Sequence, residues 1–216
     1  MICRSHQRCR ARPAQITHPA VLSPEESRHA VKALRLAPGD RVTVFDPHET
    51  WTGEIESAAG KVTIKLLEKI PGPSLPRVVV AAASPKGARL DWMVEKLAEL
   101  GVAELIPVKF ARSVVEPGEG KRKRIEKIAL AAAKQSGAPV MKISPEKTVA
   151  QLPADAWLAS PGGAERPPAG GGCVVVGPEG GLTAEEEARF ARRFSLGPTI
   201  LRIETAAVVA AARFLS

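Results

Sequence analysis

Residues 174–183 read VVVGPEGGLT. Three valines make a buried strand, the Gly-Pro-Glu-Gly-Gly run forces a turn, and Thr183 followed by Glu186 is the pattern of a capped helix start. A strand entering a glycine-rich turn and then a helix is the repeating unit of mainly parallel α/β sheets. Ligands of such sheets bind at the carboxyl ends of the strands, where these turns lie, and glycines let the backbone approach a flat ligand closely. A tight strand-to-helix turn with no ligand is the competing reading of the same residues.

Working outward, the same alternation runs from about residue 76 to the end. Residues 78–83 read as a buried strand. Leu90, Met93, Val94, Leu97 and Leu100 recur at helical spacing, and Gly101 stands where a helix-terminating residue belongs. Residues 105–108 form a second strand, 121–136 a basic helix ended by Gly137 and Pro139, and 156–159 and 173–176 two more strands. Residues 204–215 make the last helix. The low-complexity stretch PGGAERPPAGGG (161–172) is long for a connection in a compact sheet and reads as a mobile surface loop or an insertion.

Upstream the pattern changes. Ser23-Pro24-Glu25-Glu26 is a helix start, and alternating runs at 41–45, 51–55 and 61–67 predict short strands at the spacing of a small barrel. Pro71 to Pro76 is the best linker in the chain. We therefore expect two domains, a small basic β domain over 1–72 and an α/β domain over 73–216.

Composition narrows the function. The 216 residues are 44% hydrophobic and 25% charged, which fits a folded chain and not a disordered one. No apolar run reaches the ~18 residues of a membrane span, and the basic N-terminus has no apolar core behind it, so we expect a cytoplasmic protein with no membrane partner. Three cysteines without a CxxC pair argue against a disulfide framework or a metal site. Lys+Arg less Asp+Glu is 31 − 23 = +8, which fits a polyanionic partner. Aromatics are only 4%, with no tyrosine, which disfavours a base-stacking platform. There is no GxxxxGK[ST], no GxGxxG and no HExxH or GxSxG, and the four histidines all precede residue 49.

A second constellation is LGPTILRIETAA (196–207), where Arg202 and Glu204 flank the entry to an Ala-rich helix. Taken singly, Glu204 is a first-turn acid facing the helix dipole and Thr205 a cap. A second Gly-Pro turn with a charged pair, so soon after the first, asks for more.

Together GPEGG and LGPTILRIETAAVVAA resemble the signature of the SPOUT methyltransferases, and within them the RsmE family, which methylates N3 of a uridine in 16S ribosomal RNA. The resemblance extends, in order, through HAVKALRLAPGD (29–40), SPKGARLDWMVEKLAELGV (84–102) and KIALAAAKQSG (127–137). The chain departs from the family at Arg28-His29, Gly87-Ala88-Arg89 and Arg202-Ile203-Glu204. The resemblance implies a PUA-like N-terminal β-barrel, a SPOUT α/β domain with a deep C-terminal trefoil knot, and a homodimer without metal. It implies S-adenosylmethionine (SAM) as cofactor, with the small ribosomal subunit or its 16S RNA as partner. It places the adenosyl group against Gly177, Glu179, Gly180, Leu196, Gly197, Leu201 and Thr205. RNA would meet Arg35, Lys86, Arg89 and Arg112. Uridine N3 must lose a proton or have its developing anion stabilised, which suits Arg202, with Glu204 as proton acceptor or as a partner orienting Arg202. The KRKR run (121–124) is as readily a solvated helix face as an RNA contact. Two rival functions are a SPOUT ribose 2′-O-methyltransferase, against which the complete lack of asparagine argues, and a non-catalytic ribosome-binding knot protein.

Overall fold

The computed structural model describes residues 19–45, 49–71, 75–113, 119–167 and 170–216. Cys3, Cys9 and the basic N-terminal stretch lie outside the described residues, as does the middle of the Pro-rich linker. The described chain divides into two units. One runs to residue 71 and includes Lys134–Pro139; the other comprises Leu75–Ala133 and Val140–Ser216.

In the first unit, β1 (Ala20–Val21) leads into helix α1 (Pro24–Arg28) and a widened π turn (His29–Ala33). Ser23 caps α1 by accepting from the Glu26 amide, as the sequence predicts. Strands β2 (Arg41–Phe45), β3 (Thr50–Ser57) and β4 (Thr63–Ile70) follow, and the four strands form an antiparallel sheet in the order β1-β4-β3-β2. The alternation seen in the sequence sorts Val42, Val44, Ile55, Ile64 and Leu66 into one core with Leu22, Ala30 and Leu36. Ser27 is buried beneath them, donating to the Leu22 carbonyl at 3.4 Å and accepting from the Val62 amide at 3.1 Å.

The second unit opens with β5 (Arg77–Ala82), α2 (Ala88–Glu99), β6 (Glu104–Lys109) and α3 (Glu119–Ser136). It continues through β7 (Lys142–Ile143), β8 (Lys147–Thr148), β9 (Trp157–Ala159), β10 (Gly171–Val176), α4 (Ala184–Ala188), β11 (Arg192–Phe194) and α5 (Ile203–Leu215). Its sheet runs β11-β9-β10-β5-β6-β7, with β8 also pairing β6, and every pairing is parallel. The Leu90–Leu97 stripe of α2 is buried as its spacing requires, and Gly101, at φ +82°, turns the chain out of that helix. Helix α5 packs across β5, β10 and α2.

Sequence periodicity finds the three-residue β9 but misses β1, β7, β8 and β11. The most consequential of these is the edge strand β11, which reads only RRF; pairing with β9, not propensity, makes it a strand. The 161–172 stretch is also less free than its composition suggests. Ala164 bridges Phe194, the Glu165 amide donates to the Arg193 carbonyl, and the Arg193 amide donates back to the Glu165 carboxylate, so its first part lies along β11.

At the amino end of β6, Glu104 is buried among Arg77 (3.1 Å), Lys142 (3.1 Å) and the Ser144 hydroxyl (2.5 Å). Burial works against its charged form, but the hydrogen bonds from Ser144 and Lys142 and the charges of Lys142 and Arg77 outweigh it. The carboxyl therefore lies below its ordinary value. A depressed carboxyl stabilises the fold above its unfolded-state pKa, and that contribution disappears as pH falls through the folded-state value. Glu104→Gln should lower the urea midpoint at neutral pH, and the gap from the parent should close below about pH 4. Urea titrations of both proteins across that range check this.

Candidate active site

Strands β11, β9 and β10 are neighbours and parallel, so their carboxyl ends open on one edge of the sheet. The segments leaving them enclose a cavity of about 390 Å³, within the ~300–1,000 Å³ of small-molecule sites. Ser160 and Pro161 contribute after β9, residues 177–179, 181 and 182 after β10, and residues 195–197 and 199–202 after β11. Its lining is mainly apolar, with Leu158, Val176, Leu182, Leu196, Leu201 and Ala206 prominent, and polar groups stand at Glu179, Glu187, Ser195 and Arg202.

The turn after β10 is held by several independent bonds. The Gly181 amide donates to the Pro178 carbonyl at 2.9 Å. Thr183 and Glu186 form the capping box that the sequence predicts, and Glu186 also accepts from the Ala111 amide at 2.7 Å. Arg112 reaches across to donate to the carbonyls of Gly180 (3.0 Å) and Leu182 (3.3 Å). A Cβ on Gly177 would collide with the Leu182 side chain, so only glycine lets that leucine lie over the turn. A Cβ on Gly180 would sit 3.3 Å from the Arg112 Cβ.

The loop after β11 is anchored from the last helix. Arg213 donates to the carbonyls of Ser195 (2.9 Å) and Leu196 (3.2 Å). Sequence reasoning missed this role. The available signal was that Arg213 is the one charged residue in the Ala/Val-rich helix after Glu204.

The sequence-predicted residues separate into groups. Gly177, Glu179, Leu196, Gly197, Leu201 and Arg202 border the cavity, whereas Gly180 and Thr205 do not. Arg202 is the N-cap residue of α5, exposed, and its guanidinium has no partner among the described residues. Glu204 does not pair with it. That carboxylate is buried in the first turn of α5, with Oε2 accepting no hydrogen bond and lying 4.0 Å from Nη1 of Arg89. Arg89 also donates to Glu179 at 3.3 Å. Two arginines expected to face RNA are thus committed within the protein, Arg89 to carboxylates and Arg112 to the Gly180–Leu182 backbone. Lys86 is exposed. Arg35, in the first unit, is exposed and holds φ +52°, a left-handed conformation that side chains other than glycine rarely adopt. In the KRKR run, Arg122 pairs with Glu126 and Arg124 with Asp91.

Comparison with known proteins agrees with this arrangement. The profile of an RNA methyltransferase domain matches residues 73–215, and that of an RNA methyltransferase PUA domain matches residues 22–67. The chain is 33% identical to ribosomal RNA small subunit methyltransferase E of Bacillus subtilis, over 86% of this chain and 85% of that protein. It is 30% identical to the Synechocystis protein of the same name, over 93% and 74%. Its fold is similar to the crystal structure of ribosomal RNA small subunit methyltransferase E from Neisseria gonorrhoeae bound to S-adenosyl methionine. The TM-score is 0.76 at 25% identity, over 95% of this chain and 96% of that one. The chain belongs to the RNA methyltransferase family, and within it to the ribosomal RNA small subunit methyltransferase E (RsmE) group.

If Arg112 holds the turn after β10, Arg112→Ala should speed amide hydrogen exchange over residues 178–183 by about tenfold, equivalent to ~1.4 kcal/mol of local stability. Arg112→Lys should recover part of this, since one ammonium can still reach one carbonyl. Exchange mass spectrometry on both variants measures it.

Proposed function

We propose that the protein is a SAM-dependent methyltransferase acting on N3 of a uridine in 16S ribosomal RNA. The observation that carries this reading is the apolar cavity at three strand ends, with Arg202, whose guanidinium has no partner among the described residues, at its border. SAM supplies an electrophilic methyl group on a sulfonium. The cavity suits that ligand because its volume and apolar lining fit an adenosyl group, and Gly177 leaves room for Leu182 to cover it. Leu182, Leu196, Leu201 and Ala206 would sandwich the adenine, and Gly197 would border the rest, while the Glu179 carboxylate is turned to Arg89. Gly180 and Thr205 would contribute through the turn and helix that carry them.

Arg202, at the border of the first cavity, would stabilise negative charge developing on the uracil as its N3 proton leaves. A guanidinium stays protonated, so it serves as the cation and not as the base. The non-catalytic alternative is disfavoured because a ribosome-binding relic would have no use for a formed cavity with an arginine beside it that pairs with nothing among the described residues.

The remaining parts of this reading concern architecture. Residues 1–72 would close as a PUA-like barrel that binds RNA in the cytoplasm, and residues 73–216 would carry the transfer. A C-terminal trefoil knot is supported by the path of the chain, which leaves β11 at the sheet edge and returns as α5 across β5 and β10. A homodimer is what the family resemblance implies, and Ile200, which borders the cavity and is 91% exposed, would be one of the side chains it covers.

Two experiments test the assignment. Arg202→Ala should slow single-turnover methylation of unmodified 16S RNA by about 100-fold or more, with SAM affinity nearly unchanged, and Arg202→Lys should rescue it poorly. Parental turnover in Arg202→Ala would make the arginine structural. Arg35→Glu should weaken RNA binding in a filter assay, more so at low salt, while calorimetric SAM binding stays at the parental level.

A further inference from the structure

Beside the first cavity lies a second, of about 240 Å³. The two share a wall formed by Pro178, Glu179 and Ile203. Their chemistry differs. Where the first is mainly apolar, the second is bordered by Ser84, Lys86, Arg89 and Ser113, four side chains that donate hydrogen bonds. Lys86 has no ion-pair partner among the described residues. Glu179 is the one carboxylate on the border of the second cavity among the described residues. Its Oε1 accepts from Arg89 at 3.3 Å, and its other oxygen has no partner among the described residues. Arg89 is in turn held from behind, 4.0 Å from the buried, unbonded Oε2 of Glu204. A planar guanidinium between two carboxylates has little freedom to turn away.

This arrangement has the polarity of a particular base edge. Uracil presents acceptor, donor, acceptor along O4, N3–H and O2, and its complement is donor, carboxylate, donor. On the border of one cavity, Lys86 and Arg89 supply the donors and Glu179 the carboxylate. Cytosine would set its amino group against a cation and its N3 lone pair against the carboxylate. An enzyme that works on a base must also take it out of the stack into a pocket.

We propose that the second cavity holds the acceptor uracil, with Glu179 in the shared wall taking the N3 proton, Lys86 and Arg89 donating to the flanking carbonyls, and Glu204 positioning Arg89. The proposal rests on the reading of the protein as a uridine-N3 methyltransferase and assigns the base's place within it. As the bond from N3 to the methyl carbon forms and the methyl–sulfur bond breaks, the imino proton passes to the Glu179 carboxylate. The sulfur departs as a neutral thioether.

The test uses the full chain, calorimetry with SAM, and single-turnover methylation of 16S RNA that lacks the modification. Glu179→Gln should bind SAM as the parent does and turn over about 100-fold or more slowly. Its residual rate should climb with pH, because the imino proton must now leave to solvent before attack; a merely structural glutamate would not produce that profile. Lys86→Met, at an exposed position with little bearing on folding, should raise the RNA concentration needed for half-maximal rate without changing SAM affinity. Loss of SAM binding in Glu179→Gln would assign its carboxylate to the cofactor instead of the base and overturn the proposal. So would parental turnover in Glu179→Gln, or an unchanged RNA requirement in Lys86→Met. Failure of the parent itself to bind SAM or to methylate RNA is a separate result, and it would overturn the functional reading instead.

Discussion

Phe214, near the end of α5, packs edge-on against Trp157 of β9 (6.2 Å between ring centres) and Phe194 of β11 (5.6 Å), and those two rings meet each other at 6.3 Å. Phe194 and Phe214 are fully buried. Edge-to-face pairs of this kind contribute about 0.5–1.5 kcal/mol each beyond the area they bury. Their importance here is positional. They lock the last helix onto two short strands that could not stand alone, and those strands carry two of the three loops around the first cavity. One residue before Phe214, Arg213 reaches the Ser195 and Leu196 carbonyls. A single turn of α5 thus fixes both the strand and the loop that follows it.

The use of arginine is the second theme. A net charge of +8 suggests a surface offered to a polyanion, but much of that charge does internal work. Arg112 supports the turn after β10, Arg213 the loop after β11, and Arg89 stands between Glu179 and Glu204. Arg202 has no such partner among the described residues, which distinguishes it from its neighbours at the same site. Backbone carbonyls at a glycine-rich turn have no side chains nearby to satisfy them, and a guanidinium can serve two at once.

Cys173 illustrates the same point with a different group. Burial, with the nearby charges of Asp155 and Glu104, raises its thiol to about 11, so it stays protonated and packs against the core as a small apolar residue. It is not a candidate nucleophile, in keeping with the absence of any Cys/His constellation in the sequence.

Much of the architecture was legible in the chain alone. The apolar runs that became β5, β6, β9 and β10 are nearly continuous because parallel strands are covered on both faces. The α2 stripe, the Thr183 capping box and the exit at Gly101 follow from local stereochemistry, which needs no partner elsewhere. The turn after β10 was legible as a sheet-edge site for the same reason, while the resemblance carried Gly177, Glu179, Leu196, Gly197 and Leu201 to the border of the first cavity and put Gly180 and Thr205, which lie off it, there as well. Strand β11 was not legible, because Arg192-Arg193-Phe194 has no pattern of its own and becomes a strand only through the ladder β9 provides. Nor could the partners of Glu204, Arg89 and Arg112 be read from spacing, since they lie 68 to 115 residues apart in sequence. Local sequence decides which segments are strands, turns and capped helices, because those depend on dihedral preferences and apolar period. Which charge neutralises which is decided only when the sheet brings distant loops to one edge, because ion pairing depends on distance in space.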